Sequence, residues 1–98
     1  MTTRRGQTHY KYNGVTHTIS FTDSSVRQTT GFSSGVDIAR FRCDQDCYIV
    51  FETQDDADSN ALELPAGVTE YFAVDEGEKV SAIRVTTSGT LRIDEMTL

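Results

Sequence analysis

A chain of 98 residues, 37% hydrophobic and 24% charged, has room for one small domain with a thin core and no deep pocket. No run approaches the apolar length that spans a bilayer, and the two N-terminal arginines are followed by no apolar stretch, so neither a membrane span nor a secretory signal is expected. The formal charge is -6, but residues 1–20 carry 3 of the 9 basic side chains (Arg4, Arg5, Lys11) and none of the 15 acidic ones, leaving 6 against 15 in the rest of the chain; this basic arm on an acidic body argues against a nucleic-acid binder, whose cations concentrate on its folded part.

In chain order, the first predicted element is a hairpin. Asn13-Gly14 suits the two positive φ values of a type I′ turn, and a two-residue loop there sets Tyr12 against Val15 and Tyr10 against His17. Val15 to Phe21 then alternates, with Val15, His17, Ile19 and Phe21 on one side and Thr16, Thr18 and Ser20 on the other, as a half-buried strand does. Residues 22–35 are poor in apolar side chains and read as a connection with one short edge strand around Val26. Val36 to Cys43 and Cys47 to Thr53 follow as strands joined by the tight loop Asp44-Gln45-Asp46, with Ala39, Phe41 and Cys43, then Cys47, Ile49 and Phe51, turned inward.

An acidic loop, Gln54 to Asn60, precedes a short strand from Ala61 to Leu64, which Pro65 stops because proline has no N–H for the ladder. Thr69 to Val74, Lys79 to Val85 and Thr90 to Thr97 complete the series, separated by turns at Asp75-Glu76-Gly77-Glu78 and Thr87-Ser88-Gly89. In the Lys79 run the apolar residues fall on both parities, which predicts a bulge or burial on both faces. Short strands at a spacing of roughly 8–12 residues, with turn residues between them, make an all-β antiparallel sandwich or barrel.

The chemistry-bearing residues point away from catalysis. Cys43 and Cys47 form a single C-x3-C pair with no histidine nearby, which does not complete tetrahedral zinc; paired strands would admit a cross-strand disulfide, and in a reducing cytosol the preferred reading is two small buried thiols. Asp56, Asp58 and Asn60 present oxygens at alternate positions, but the turn glycine and bidentate glutamate of an EF-hand are missing, so the loop reads as solvated. His9 and His17 are placed on a surface or interface face, no serine or cysteine sits in a nucleophile turn, and there is no glycine-rich phosphate loop. No enzyme, metal or cofactor is expected.

The segment from Val36 to Met96 carries Asp46-Cys47-Tyr48-Ile49, Leu64-Pro65-Ala66-Gly67, Glu70-Tyr71-Phe72, Val74, Gly77, Lys79-Val80, Ile83 and Gly89-Thr90-Leu91. In these strand and turn residues it resembles small structural proteins of tailed-bacteriophage virions. The resemblance implies a compact jelly-roll or related antiparallel β-sandwich at 15–98 that decorates or cements a capsid, with the major capsid protein or another virion protein as partner. It also implies location in the virion after synthesis in the host cytoplasm, without membrane or nucleic-acid contact. Residues 1–14 form the extended arm or hairpin. On position and charge, Arg4 and Arg5 are expected to donate to carboxylates on the shell, Lys11 to belong to the same basic segment, and Tyr10 and Tyr12 to act as aromatic anchors. Val15 to Phe21 is available for strand addition. A homo-oligomer is expected, a trimer first, because capsids offer threefold sites. The alternatives are a tail, head-tail connector or head-fibre-base component of the particle and, from another class, a carbohydrate-binding sandwich, which the lack of tryptophan disfavours.

Overall fold

The computed structural model describes residues 10–51 and 61–97. Arg4, Arg5, His9 and the acidic loop from Gln54 to Asn60 lie outside the described residues. Within them the chain is all-β, with β1 (Lys11–Phe21), β2 (Val26–Arg27), β3 (Ile38–Cys43), β4 (Cys47–Val50), β5 (Leu62–Leu64), β6 (Glu70–Ala73), β7 (Ser81–Arg84) and β8 (Gly89–Thr97). They form two antiparallel four-stranded sheets, in the orders β1-β8-β3-β6 and β2-β7-β4-β5.

Alternation decides what faces what. Ile19, Phe21, Phe41, Leu91 and Ile93 of the first sheet meet Cys47, Ile49, Leu64 and Ala82 of the second in one buried cluster. The sheets therefore face each other across a shared core, in a sandwich-like arrangement. Phe41, Phe51 and Phe72 pack with ring centroids 5.0 to 5.4 Å apart. The consecutive shielding of Val80, Ser81 and Ala82 answers the mixed parity seen in that run: both sides of the chain are covered there, with no break in the register of β7 on β4. The short edge strand expected around Val26 is β2, and its pairing is prolonged by Gln28, whose amide N–H donates to Val80 O at 2.8 Å while its side-chain Oε1 accepts from Val80 N at 3.0 Å.

Two local expectations are overturned. Asn13-Gly14 does not turn the chain: Lys11 and Tyr12 already pair with Thr97 and Met96, and the ladder resumes at Thr16 opposite Asp94. Residues 13–15 thus lie across from Glu95 alone, and Gly14, at φ +86°, supplies the left-handed conformation of a bulge. Tyr12 accordingly faces Met96 instead of Val15, and Lys11 to Gly14 are strand residues of the body. Nor do β3 and β4 pair across Asp44-Gln45-Asp46; that loop carries the chain from one sheet to the other. Six of the seven connections between described strands cross in this way, and only β4 to β5 stays within a sheet.

Candidate functional site

The side chains that point away from the core on the first sheet fall into cross-strand rows. One row is apolar and runs from Ala73 through Ile38 and Met96 to Tyr12. The next runs from Tyr71 through Arg40 and Asp94 to Thr16, and the third places Arg42 directly opposite Arg92, with Thr18 beyond. Strand alternation alone sends these residues outward, because Ala39, Phe41, Leu91 and Ile93 occupy the inward parity.

Asp94 organises the middle row. Its Oδ1 accepts from Thr16 Oγ1 at 2.7 Å and Arg92 Nε at 3.0 Å, and its Oδ2 from Arg40 Nη2 at 2.8 Å and Nε at 3.2 Å. Burial pushes this carboxyl up, but the hydrogen bonds from Thr16, Arg40 and Arg92 outweigh burial and hold it below the ordinary aspartate range. Arg40 in return is held more firmly protonated by Asp94, with the Tyr71 hydroxyl acting in the same direction. Tyr12 joins the same network through its hydroxyl, 2.7 Å from Thr16 Oγ1.

The surface between the rows is concave. A depression of about 450 Å³ is lined by Arg40, Arg42, Arg92, Thr69, Tyr71 and Asp94. A second, of about 480 Å³, shares Arg42 and Arg92 as walls and continues over Asp44, Thr90, Ala66 and Gly67. Such a face can hold an anionic group between planar cationic forks, with exposed tyrosine surface beside it; Tyr71 is 50% exposed and Tyr12 49%.

On the opposite side of β8, Glu95 is fully shielded. Its Oε2 accepts from His17 Nε2 at 2.7 Å and from the amide and hydroxyl of Ser33, both at 3.1 Å, and its Oε1 accepts from Asn13 Nδ2 at 3.4 Å. Burial raises this carboxyl as well, and the bonds from His17 and Ser33 overcome it, so the group stays below the usual glutamate range. His17 is therefore not on a surface or interface: it is buried, and its ring stands edge-on to Phe32 at 5.4 Å.

Cys43 and Cys47 are free, buried thiols that influence one another although their strands belong to different sheets. Cys43 also reaches the carbonyls of Leu64 and Pro65 at 3.5 Å. The neighbouring Cys43 sulfur together with burial pushes the Cys47 thiol far up, the reverse of what a nucleophile needs.

Of the residues expected to bind a partner, Tyr12 joins the arginine-bearing face, Lys11 stands exposed at the end of β1, and Tyr10 is half-buried just before it. The arginines of the face and the two carboxylates of β8 escape a reading of the sequence, though a signal exists. Leu91 and Ile93 fix the inward parity, which puts Glu95 inside and Arg92 and Asp94 outside. Compared with models of protein families, with curated proteins and with solved structures, the chain matches none.

Proposed function

We propose that this protein is an adhesive module without catalytic activity: a bacteriophage decoration or cement protein that binds the virion shell through the outer face of its first sheet. The arm bearing Arg4 and Arg5 adds a second attachment. The observation that carries the reading is the outward face itself, where Arg40, Arg42, Arg92 and Tyr71 share one concave surface and Tyr12 stands exposed in the neighbouring row. Exposed tyrosine and arginine are the side chains that anchor protein interfaces. The motif resemblance between Val36 and Met96 supplies the virion setting. The jelly roll is the finer description of the fold that we favour, and the strand orders β1-β8-β3-β6 and β2-β7-β4-β5 support it, being those of an eight-stranded chain wound as two Greek keys. A homotrimer is the assembly we infer for it, with the major capsid protein as partner.

The test is binding of the purified full chain to particles that lack it. Saturable, high-copy binding that raises the temperature at which the shell opens supports the cement reading, and loss of some of that binding on removal of residues 1–9 assigns a share to the arm. Binding in the few copies of a symmetric ring moves the protein to the tail or connector. No binding to any component of the particle overturns the virion reading.

A further inference from the structure

We propose that the Arg42–Arg92 pair, with Arg40 and Tyr71 beside it, receives a carboxylate from an extended acidic segment of a protein partner. The proposal rests on the shell-binding reading above and names the chemistry which that face recognises.

The pair is unexplained by the fold. Arg42 and Arg92 are direct cross-strand partners on the two central strands of the sheet, β3 and β8, an arrangement that places like charges side by side and opposes folding. Among the described residues the Arg42 guanidinium has no hydrogen-bond or ion-pair partner. Asp94 is the acid nearest the pair in the rows, and its two oxygens already accept four hydrogen bonds. Arg92 donates to it through Nε, which leaves its two Nη groups for something else. Asp44, at the neighbouring depression, holds the Thr90 amide at 2.7 Å through Oδ1. Two guanidinium groups thus flank a cavity of about 450 Å³, room for one or two side chains, on a chain whose formal charge is -6. Two cations placed against each other, Arg42 without a mate and Arg92 held through Nε alone, are complementary to an anion from outside.

The rest of the face indicates the kind of anion. The apolar row, the Asp94 row and the arginine row succeed one another at two-residue steps along the strands, about 6.8 Å each in extended backbone. An extended peptide laid along them presents alternate side chains at the same step. An apolar residue then meets Ile38, Ala73 and Tyr12, a hydroxyl or amide meets the Asp94 row, and an acidic residue two positions further on reaches Arg42 and Arg92. A nucleic acid does not match, because Asp94 and Asp44 border the same cavities and would repel a continuous run of phosphates.

The probe is a labelled peptide, Leu-Ser-Thr-Ser-Glu-Ser, titrated at low salt and followed by anisotropy and by side-chain NMR signals of the arginines. Its controls are the peptide with glutamine for glutamate, a sulfated heparin hexasaccharide and a single-stranded oligonucleotide. The glutamate peptide is expected to bind and to weaken with added salt, and Arg42→Ala or Arg92→Ala to reduce affinity by about tenfold or more. Arg42→Glu is expected to abolish binding while raising the melting temperature, since it replaces a like-charge pair with an opposite one. That combination is foreign to a merely structural arginine. Equal binding of the glutamine peptide, indifference to both alanine variants, or preference for the sulfated sugar or the oligonucleotide overturns the proposal. Shells lacking the protein separate the two readings. If the full chain binds them and Arg42→Glu binds equally well, the site falls and the shell reading stands. If the full chain fails on shells while the peptide binds through the arginines, the shell reading falls and the site stands.

Discussion

Glu95 is an ionised group with no access to water, and its donors explain why it remains ionised. A carboxylate accepts only, so His17 Nε2 carries the proton of their 2.7 Å bond, and the Ser33 amide and hydroxyl complete the shell. Through this one side chain β1, β8 and the loop at Ser33 are tied together. Glu95→Ala leaves those donors buried and unpaired and is expected to cost about 3 kcal/mol, read as a lower urea midpoint. The pH dependence follows from the same bonds. Glu95 and Asp94 are both held below their ordinary values in the folded chain, so the stability they confer is complete above the unfolded carboxylate range. It is lost as pH falls through the folded values, which lie below the ordinary carboxylate range. Urea midpoints measured from neutral pH downward should be level and then fall steeply, and Asp94→Asn with Glu95→Gln should flatten that fall. The thiols give a third expectation. With Cys47 pushed up and both sulfurs buried, a bulky disulfide reagent at pH 8 should react at the rate of unfolding, and both thiols should react at once in denaturant.

At the scale of elements, glycine marks two places where the backbone leaves no alternative. Gly14 sits at φ +86° with open space around it, so Gly14→Ala meets only the left-handed backbone penalty, about 1 kcal/mol. A Cβ at Gly31 would lie 2.5 Å from the Gly77 carbonyl oxygen, in a contact closed by bonds from Phe32 N to Glu78 O and from Gly77 N to Phe32 O. Gly31→Ala must push these backbone segments apart and is expected to cost about 2 kcal/mol, so chemical denaturation should rank it below Gly14→Ala. These two glycines also show what the sequence makes legible. Alternation identifies the strands and their inward residues, from Ile19 and Phe21 to Phe41 and Ile49, because that signal is local. Asn13-Gly14 misleads because a left-handed glycine serves a type I′ turn and a bulge equally. Only β8, some eighty residues further on, decides between them by pairing on both sides of it. The arginine face is hidden for the same reason: parity sends Arg40, Arg42 and Arg92 outward, but nothing local says that β3 and β8 are neighbours.

For the whole molecule, the crossing connections set the folding rate. Pairing β1 with β8 joins the two ends of the described chain, and β3 must find β8 across the intervening β4, β5, β6 and β7, so the loop-closure entropy is large before any ladder forms. Refolding followed by stopped-flow fluorescence of the tyrosines is expected to take milliseconds to seconds, as in other all-β domains, with no microsecond phase of native amplitude.

The antiparallel partnership of Lys11 with Thr97 has a mechanical consequence. A force applied between these residues enters and leaves at one corner of the sheet and loads the rungs of the β1–β8 ladder one after another, as a zipper is opened. A ladder pulled from opposite ends bears the load on all its rungs together. Held by its two ends, the domain should yield at low force in an optical trap. Held by the face of its first sheet, it transmits load across four strands at once, so its resistance to being torn open depends on where it is gripped.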